Sequence, residues 1–160
     1  MVKEDDWAAA RAEGGRPVLR GTAVLDATVP AQLIQEIIDA ARAGVPNESC
    51  GLLVADAYAA AGGVPATYIP LRNAAESPYR YMIDSEDLLK VVEIEDRGEF
   101  VWGIVHSHVA SPAEPSATDV GLAYYPDSLY LICSLAEPAP TVRAWSIRDH
   151  TVLEVPLSVG

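Results

Sequence analysis

Val105-His106-Ser107-His108-Val109-Ala110-Ser111-Pro112-Ala113-Glu114-Pro115-Ser116-Ala117-Thr118-Asp119 is the run from which the architecture of this chain can be worked out. It closes a segment rich in Val, Ile and aromatic residues, 100–106, that is predicted to be a strand. Side chains two apart on a strand project from the same face, so His106 and His108 point together and Ser107 points away. Pro112 and Pro115 make 109–115 a loop, and Ser116 is expected to open a helix running to Tyr125. Asp119 then falls in the first turn of that helix. Two imidazoles converging at a strand end can act as two ligands of a tetrahedral zinc site, and a returning carboxylate can supply a third. A fourth position left open for water belongs to catalytic rather than structural zinc. Plainer readings fit the same spacing. Ser116-x-x-Asp119 is close to a capping box, and histidine is commonly a filler at intermediate burial.

On either side of this run, strands and helices are mixed. Upstream, strands are expected at 22–25, 50–58, 67–71 and 80–83. A helix is expected over 29–43, with Pro30 near its first position, Leu33, Ile34, Ile37, Ile38 and Ala41 at helical spacing, and Gly44 as its stop. A second helix, opened by Asp84 or Ser85 and running to Asp96, should turn Leu88, Leu89 and Val92 inward with Val91 or Ile94. Downstream, 129–135 is a strongly apolar strand, and 142–147 and 152–157 read as a hairpin turning at Arg148-Asp149-His150. Strict βα alternation is missing, which points to a sandwich-like α/β domain rather than a doubly wound sheet. Residues 1–21, with a short helical stretch at 6–12 ended by Gly14-Gly15 and Pro17, read as an N-terminal extension to a single domain at 22–160.

Composition narrows the function classes. A chain of 160 residues, half of them apolar and 21% charged, is sized for one core that needs no disulfide. A formal charge of −12 opposes association with nucleic acid or anionic membrane. The two cysteines, Cys50 and Cys133, lie far apart in apolar runs and form no CxxC, so both are expected to be buried thiols in a reducing cytoplasm. The N-terminus lacks the basic flank and apolar core of a signal peptide, and no apolar stretch is long enough for a membrane span.

The ordered set His106-x-His108, seven residues, Ser116-x-x-Asp119 resembles the signature of the JAMM, or MPN-plus, metalloprotease family. A glutamate in the family's upstream position stands here as Glu48, before Ser49-Cys50-Gly51-Leu52-Leu53. The resemblance spans about residues 22–157. It implies an α/β fold with a mixed, mostly antiparallel sheet flanked by helices, of cytidine-deaminase-like architecture. It also implies one Zn2+ held by His106, His108 and Asp119, with Glu48 as general base and Ser116 as the hydroxyl supporting the oxyanion. Zinc would lower the pKa of water and polarise a carbonyl. Glu48 would take the proton and pass it to the departing amine, and Ser116 would donate where charge builds. Gly51 is expected to allow close backbone approach near the site. One departure is visible: many members have Pro after the second histidine, and here Val109 follows it, with the loop length kept. His150 reads as an exposed turn residue.

Size, together with Asn73, Ser77-Pro78, Tyr81 and Asp84, resembles stand-alone bacterial-type members of the family. Such enzymes act on ubiquitin-like, β-grasp sulfur-carrier proteins after the C-terminal Gly-Gly, in one case releasing newly made cysteine. The implied partner is therefore such a carrier, its tail bound by strand addition, and a homodimer is compatible with the resemblance. Two other classes compete. A noncatalytic MPN-type interaction scaffold would be favoured by loss of a ligand, and none is lost. A zinc deaminase needs a P-C-x-x-C arrangement that this chain lacks.

Overall fold

The computed structural model describes residues 26–160. The expected extension at 1–21, its short helix and the strand at 22–25 lie outside the described residues. Eight strands are described: β1 (Ala27–Val29), β2 (Cys50–Ala55), β3 (Thr67–Leu71), β4 (Phe100–His108), β5 (Leu129–Ser134), β6 (Thr141–Arg148), β7 (Thr151–Val155) and β8 (Leu157–Val159). Three helices join them: α1 (Ala31–Gly44), α2 (Ser85–Asp96) and α3 (Ala117–Gly121).

Six strands form one sheet in the order β3-β2-β4-β5-β6-β7. Within it only β4 and β5 run parallel, and the other neighbours are antiparallel. A parallel pair cannot be closed by a tight hairpin and needs a long crossover. Residues 109–128, with α3 inside them, supply it, so the segment between His108 and Asp119 leaves the sheet at the C-terminal end of a central strand. Both faces of the sheet are covered, which explains the nearly unbroken apolar runs of β2 and β5. Leu33, Ile37 and Ala41 of α1 pack on one face with Leu53, Trp102, Val105 and Leu131. Val91 and Ile94 of α2 pack on the other with Leu52, Ile104, Tyr130 and Ile132. No helix of the described residues is long and apolar enough to cross a membrane.

Several expected boundaries shift, each for a local reason. Val29 belongs to β1, which pairs in parallel with β8 across Val29↔Val159, and the helix begins only after Pro30. A residue before proline is pushed out of helical backbone, so Val29 could not start α1. The strand expected at 50–58 ends at Ala55 and gives way to a 3-10 turn, Ala59–Ala61. Residues 80–83 form no strand, only an isolated bridge Asn73↔Ile83, because the Asn73 side chain takes the backbone groups of Arg80 and Met82. The third helix stops at Gly121 rather than Tyr125, whose N–H donates to the Tyr130 hydroxyl instead.

The second helix is rolled relative to expectation. Val91 and Ile94 are buried, whereas Leu88, Leu89 and Val92 are exposed. Asp87 lies on the same stripe as Val91 and Ile94, and its carboxylate accepts from the Arg72 N–H at 3.3 Å. The 87–91–94 stripe faces the sheet, and Leu88, Leu89 and Val92 face solvent. The C-terminal hairpin turns where expected. Asp149 and His150 have φ of 46° and 66°, the left-handed pair of a two-residue type I′ turn, and His150 is exposed.

Candidate metal centre

The centre is assembled at one end of the β2–β4 ladder. In that ladder Cys50 lies opposite His106, and one step on, Ser49 and Ser107 face each other. Ser107 points away from its histidine neighbours, as the strand period predicts, and is fully buried. Its hydroxyl accepts from the Ser49 N–H at 2.7 Å, and its own N–H donates to the Ser49 carbonyl at 3.0 Å. These bonds hold the chain just after Glu48 against β4. On the other side, the Glu48 N–H donates to the Ser77 carbonyl at 2.8 Å, and the Asn73 amide donates to the Glu48 carbonyl at 3.0 Å. Glu48 is therefore fixed from two directions although it precedes β2, and it is only 2% exposed.

His106 and His108 share the face that α2 and the crossover cover, and both are buried. The His106 ring stacks on Tyr81, centroids 4.4 Å apart. His108 is held by its Nδ1, 2.7 Å from the Pro112 carbonyl. A carbonyl only accepts, so Nδ1 carries the hydrogen and Nε2 is turned inward. The crossover returns Asp119 to the same point. Ser116 caps α3: its hydroxyl accepts from the Asp119 N–H at 3.1 Å, and Asp119 Oδ2 accepts from the Ser116 N–H at 2.8 Å. This reciprocal capping box places the carboxylate and completes the plainer reading of the Ser116-x-x-Asp119 spacing.

Three atoms then converge. His106 Nε2 and His108 Nε2 are 3.1 Å apart, and Asp119 Oδ2 lies 3.2 and 3.1 Å from them. A tetrahedron with metal–ligand bonds of about 2.0–2.1 Å has edges of roughly 3.3 Å, so the triangle suits one face of a zinc site. The donor set, two imidazole nitrogens and one carboxylate oxygen, leaves a position open. Glu48 with the two histidines makes a second candidate group, ligand atoms within 4.8 Å of one another. Glu48 Oε1 is nevertheless 3.9 Å from His108 Nε2, outside the tighter triangle. Its other oxygen, Oε2, is buried and has no hydrogen-bond partner. A carboxylate so placed suits a base beside a metal better than a ligand to it.

The electrostatics separate the two carboxylates. Burial pushes the Glu48 carboxyl up to about 7, only partly offset by His108 and reinforced by the Asp119 charge. Burial acts on Asp119 in the same sense, but hydrogen bonds to His106 and His108 outweigh it and hold Asp119 well below the usual carboxylate range. Burial keeps the His106 imidazole below its ordinary value. At His108 the depression by burial is outweighed by Asp119 and the Pro112 carbonyl, leaving it raised. One acid is thus held ionised among the imidazoles while the other sits near neutrality, the pattern expected where two carboxylates have different tasks.

The remaining sequence assignments sort as follows. Cys50 and Cys133 are free and buried, and burial pushes the thiols up to about 12 and about 11, so neither is a poised nucleophile. Gly51 does not serve close approach at the site: a Cβ there would stand 2.5 Å from the Tyr68 ring on the opposite face. Asn73 and Tyr81 enter as neighbours of Glu48 and His106, through contacts that no spacing in the sequence signals.

Comparisons with known proteins agree with this geometry. Residues 30–148 match the family model described as prokaryotic homologs of the JAB domain. A Mycobacterium tuberculosis protein named CysO-cysteine peptidase is 38% identical over 144 residues, covering 89% of this chain and 97% of that protein. A Haloferax volcanii protein named desampylase is 37% identical over 111 residues, 69% of this chain and 78% of its own. A solution structure of a Desulfitobacterium hafniense protein superposes with a TM-score of 0.70 at 33% identity, covering 83% of this chain and 92% of that one. A JAB1/MPN domain protein from Archaeoglobus fulgidus shares the fold, with a TM-score of 0.54 at 19% identity over 82% of this chain and 97% of its own. The motif, the mixed sheet and these matches converge: the chain belongs to the prokaryotic JAB-domain family.

Proposed function

We propose that this protein is a zinc metallopeptidase that hydrolyses a peptide or isopeptide bond after the C-terminal Gly-Gly of a ubiquitin-like sulfur-carrier protein. The observation that carries the reading is the buried triangle of His106, His108 and Asp119 with the Glu48 carboxylate at its edge, its Oε2 buried and without a hydrogen-bond partner. The first three would hold the metal. When bound, zinc supplies Lewis acidity to a carbonyl oxygen and lowers the pKa of water. The protein's own groups do the rest. Glu48 Oε2, free of any protein donor, takes a proton from the attacking water and returns it to the leaving amine. Burial, which raises the metal-free Glu48 carboxyl above its ordinary range, favours its taking up a proton. The Ser116 oxygen accepts from Asp119 and still has its own hydrogen to donate, which serves the carbonyl oxygen as negative charge builds.

The substrate class is supported by the relatives named CysO-cysteine peptidase and desampylase, both matched over more than two thirds of this chain. Reduced, buried cysteines suit a cytoplasmic setting. Carrier fusions extended beyond Gly-Gly test this assignment by mass spectrometry. Release of the extension from the Gly-Gly carrier, and none from a carrier ending in Ala-Ala, is the expected outcome. Equal cleavage of both would overturn the assigned specificity, and cleavage of neither would overturn the substrate class.

A further inference from the structure

The segment 109–115 joins two of the three converging residues and has no helix or strand of its own. Its backbone is nevertheless tied to the sheet at three consecutive carbonyls. The Ser111 carbonyl accepts from the Ser134 hydroxyl at 2.6 Å, the Pro112 carbonyl faces His108 Nδ1 at 2.7 Å, and the Ala113 carbonyl accepts from the Trp145 indole N–H at 2.9 Å. The donors come from β5, β4 and β6, three adjacent strands, and are 5%, 6% and 9% exposed. The next residue, Glu114, is bound by Arg143 at 3.1 Å, whose guanidinium lies over the Trp145 ring at 4.8 Å. The middle carbonyl sets which nitrogen of His108 carries its hydrogen, and the outer two fix the peptide planes around it. Val109, directly after His108, brings no ring at that position, and besides Pro112, Pro115 and the Glu114 N–H bond to the Pro112 carbonyl at 2.8 Å, these side chains hold the loop to the sheet.

We propose that Ser134 and Trp145 are positioning residues of the metal centre. By holding the Ser111 and Ala113 carbonyls, they fix the Pro112 carbonyl that orients His108 Nε2, and they set the return of the chain to Asp119. Neither side chain touches the converging atoms, and both act through His108. Partners that orient a ligating histidine typically contribute 10- to 100-fold to metal affinity. The inference rests on the metal reading given above, and its test does not use hydrolysis.

The full-length protein and its W145F, S134A, S134T and S134A/W145F variants are compared by two measurements. Zinc dissociation constants come from competition with a chromophoric chelator, and the His108 tautomer in the metal-free protein comes from long-range 1H–15N spectra. W145F removes the N–H and keeps an aromatic ring beneath Arg143. Each single loss should weaken zinc binding roughly 10-fold and the double loss up to about 100-fold. The double variant should also shift His108 from the Nδ1–H form to a mixture, while S134T, which keeps the hydroxyl, matches wild type. Wild-type affinity and a pure Nδ1–H tautomer in folded W145F and S134A would overturn the proposal. So would S134T behaving like S134A, since packing and not the donor would then matter. If the double variant does not fold, the single variants decide. If the wild type binds no zinc, the metal reading fails, and the tautomer comparison still decides whether the clamp orients His108.

Discussion

Glu48 shows how a single ionisable side chain can be held at a cost to stability. The folded protein raises its carboxyl to about 7 from the ordinary 4.5, chiefly by burial, so the folded state holds this proton more tightly than the unfolded chain. Stability therefore falls as pH rises from about 4.5 to 7, and the full cost is present above that window. In metal-free protein E48Q should be more stable than wild type at pH 8, by an amount on the order of 3 kcal/mol, with the gap closing at pH 4.5. Urea unfolding at the two pH values measures it, and an equal gap at both would contradict the assignment. Gly51 offers a second test. A methyl group there meets the Tyr68 ring at 2.5 Å, so G51A should lose about 1–3 kcal/mol in the same assay. The convergence of His106 and His108 was legible because strand period aims the two side chains to one face. Glu48 was legible only through the family resemblance, since its place depends on Ser77 and Asn73, far along the chain. The neighbour that requires Gly51 was invisible, since Tyr68 reaches it only through the β2–β3 pairing.

At the scale of elements, local chemistry decides some features and distant contacts decide others. The β6–β7 hairpin is a local feature: its turn could be read from Arg148-Asp149-His150 between two apolar alternations. His150 occupies φ 66° without being glycine, a conformation that disfavours side chains with a Cβ. H150G should therefore stabilise the protein by about 1 kcal/mol, seen as a higher denaturant midpoint with unchanged slope. A lower midpoint would mean that the imidazole has a compensating contact. The orientation of α2 is decided at a distance. Its apolar residues allow two inward stripes, and packing against Leu52, Ile104, Tyr130 and Ile132 of distant strands takes up the one with Val91 and Ile94. The three-residue strands β1 and β8 are similarly hidden, because each is defined only by pairing with the other from the opposite end of the described chain.

For the whole molecule, the convergence of His106, His108 and Asp119 follows from topology. One parallel pair in an otherwise antiparallel sheet forces a crossover out of the end of β4, and that crossover carries Asp119 back to the two histidines. The mixed α/β class was legible from irregular strand–helix order, but strand order was not, because it rests on pairings such as β2–β4 and β4–β5 between strands far apart in sequence. The account stands on the division of labour at this centre: three residues hold zinc, and Glu48 moves the proton. It is tested most directly by zinc content and turnover of a Gly-Gly-linked carrier fusion, measured on the same preparations of wild type and E48Q. The expected result is about one zinc per chain in both proteins, with turnover in the wild type alone. Turnover by zinc-loaded E48Q at the wild-type rate would contradict it.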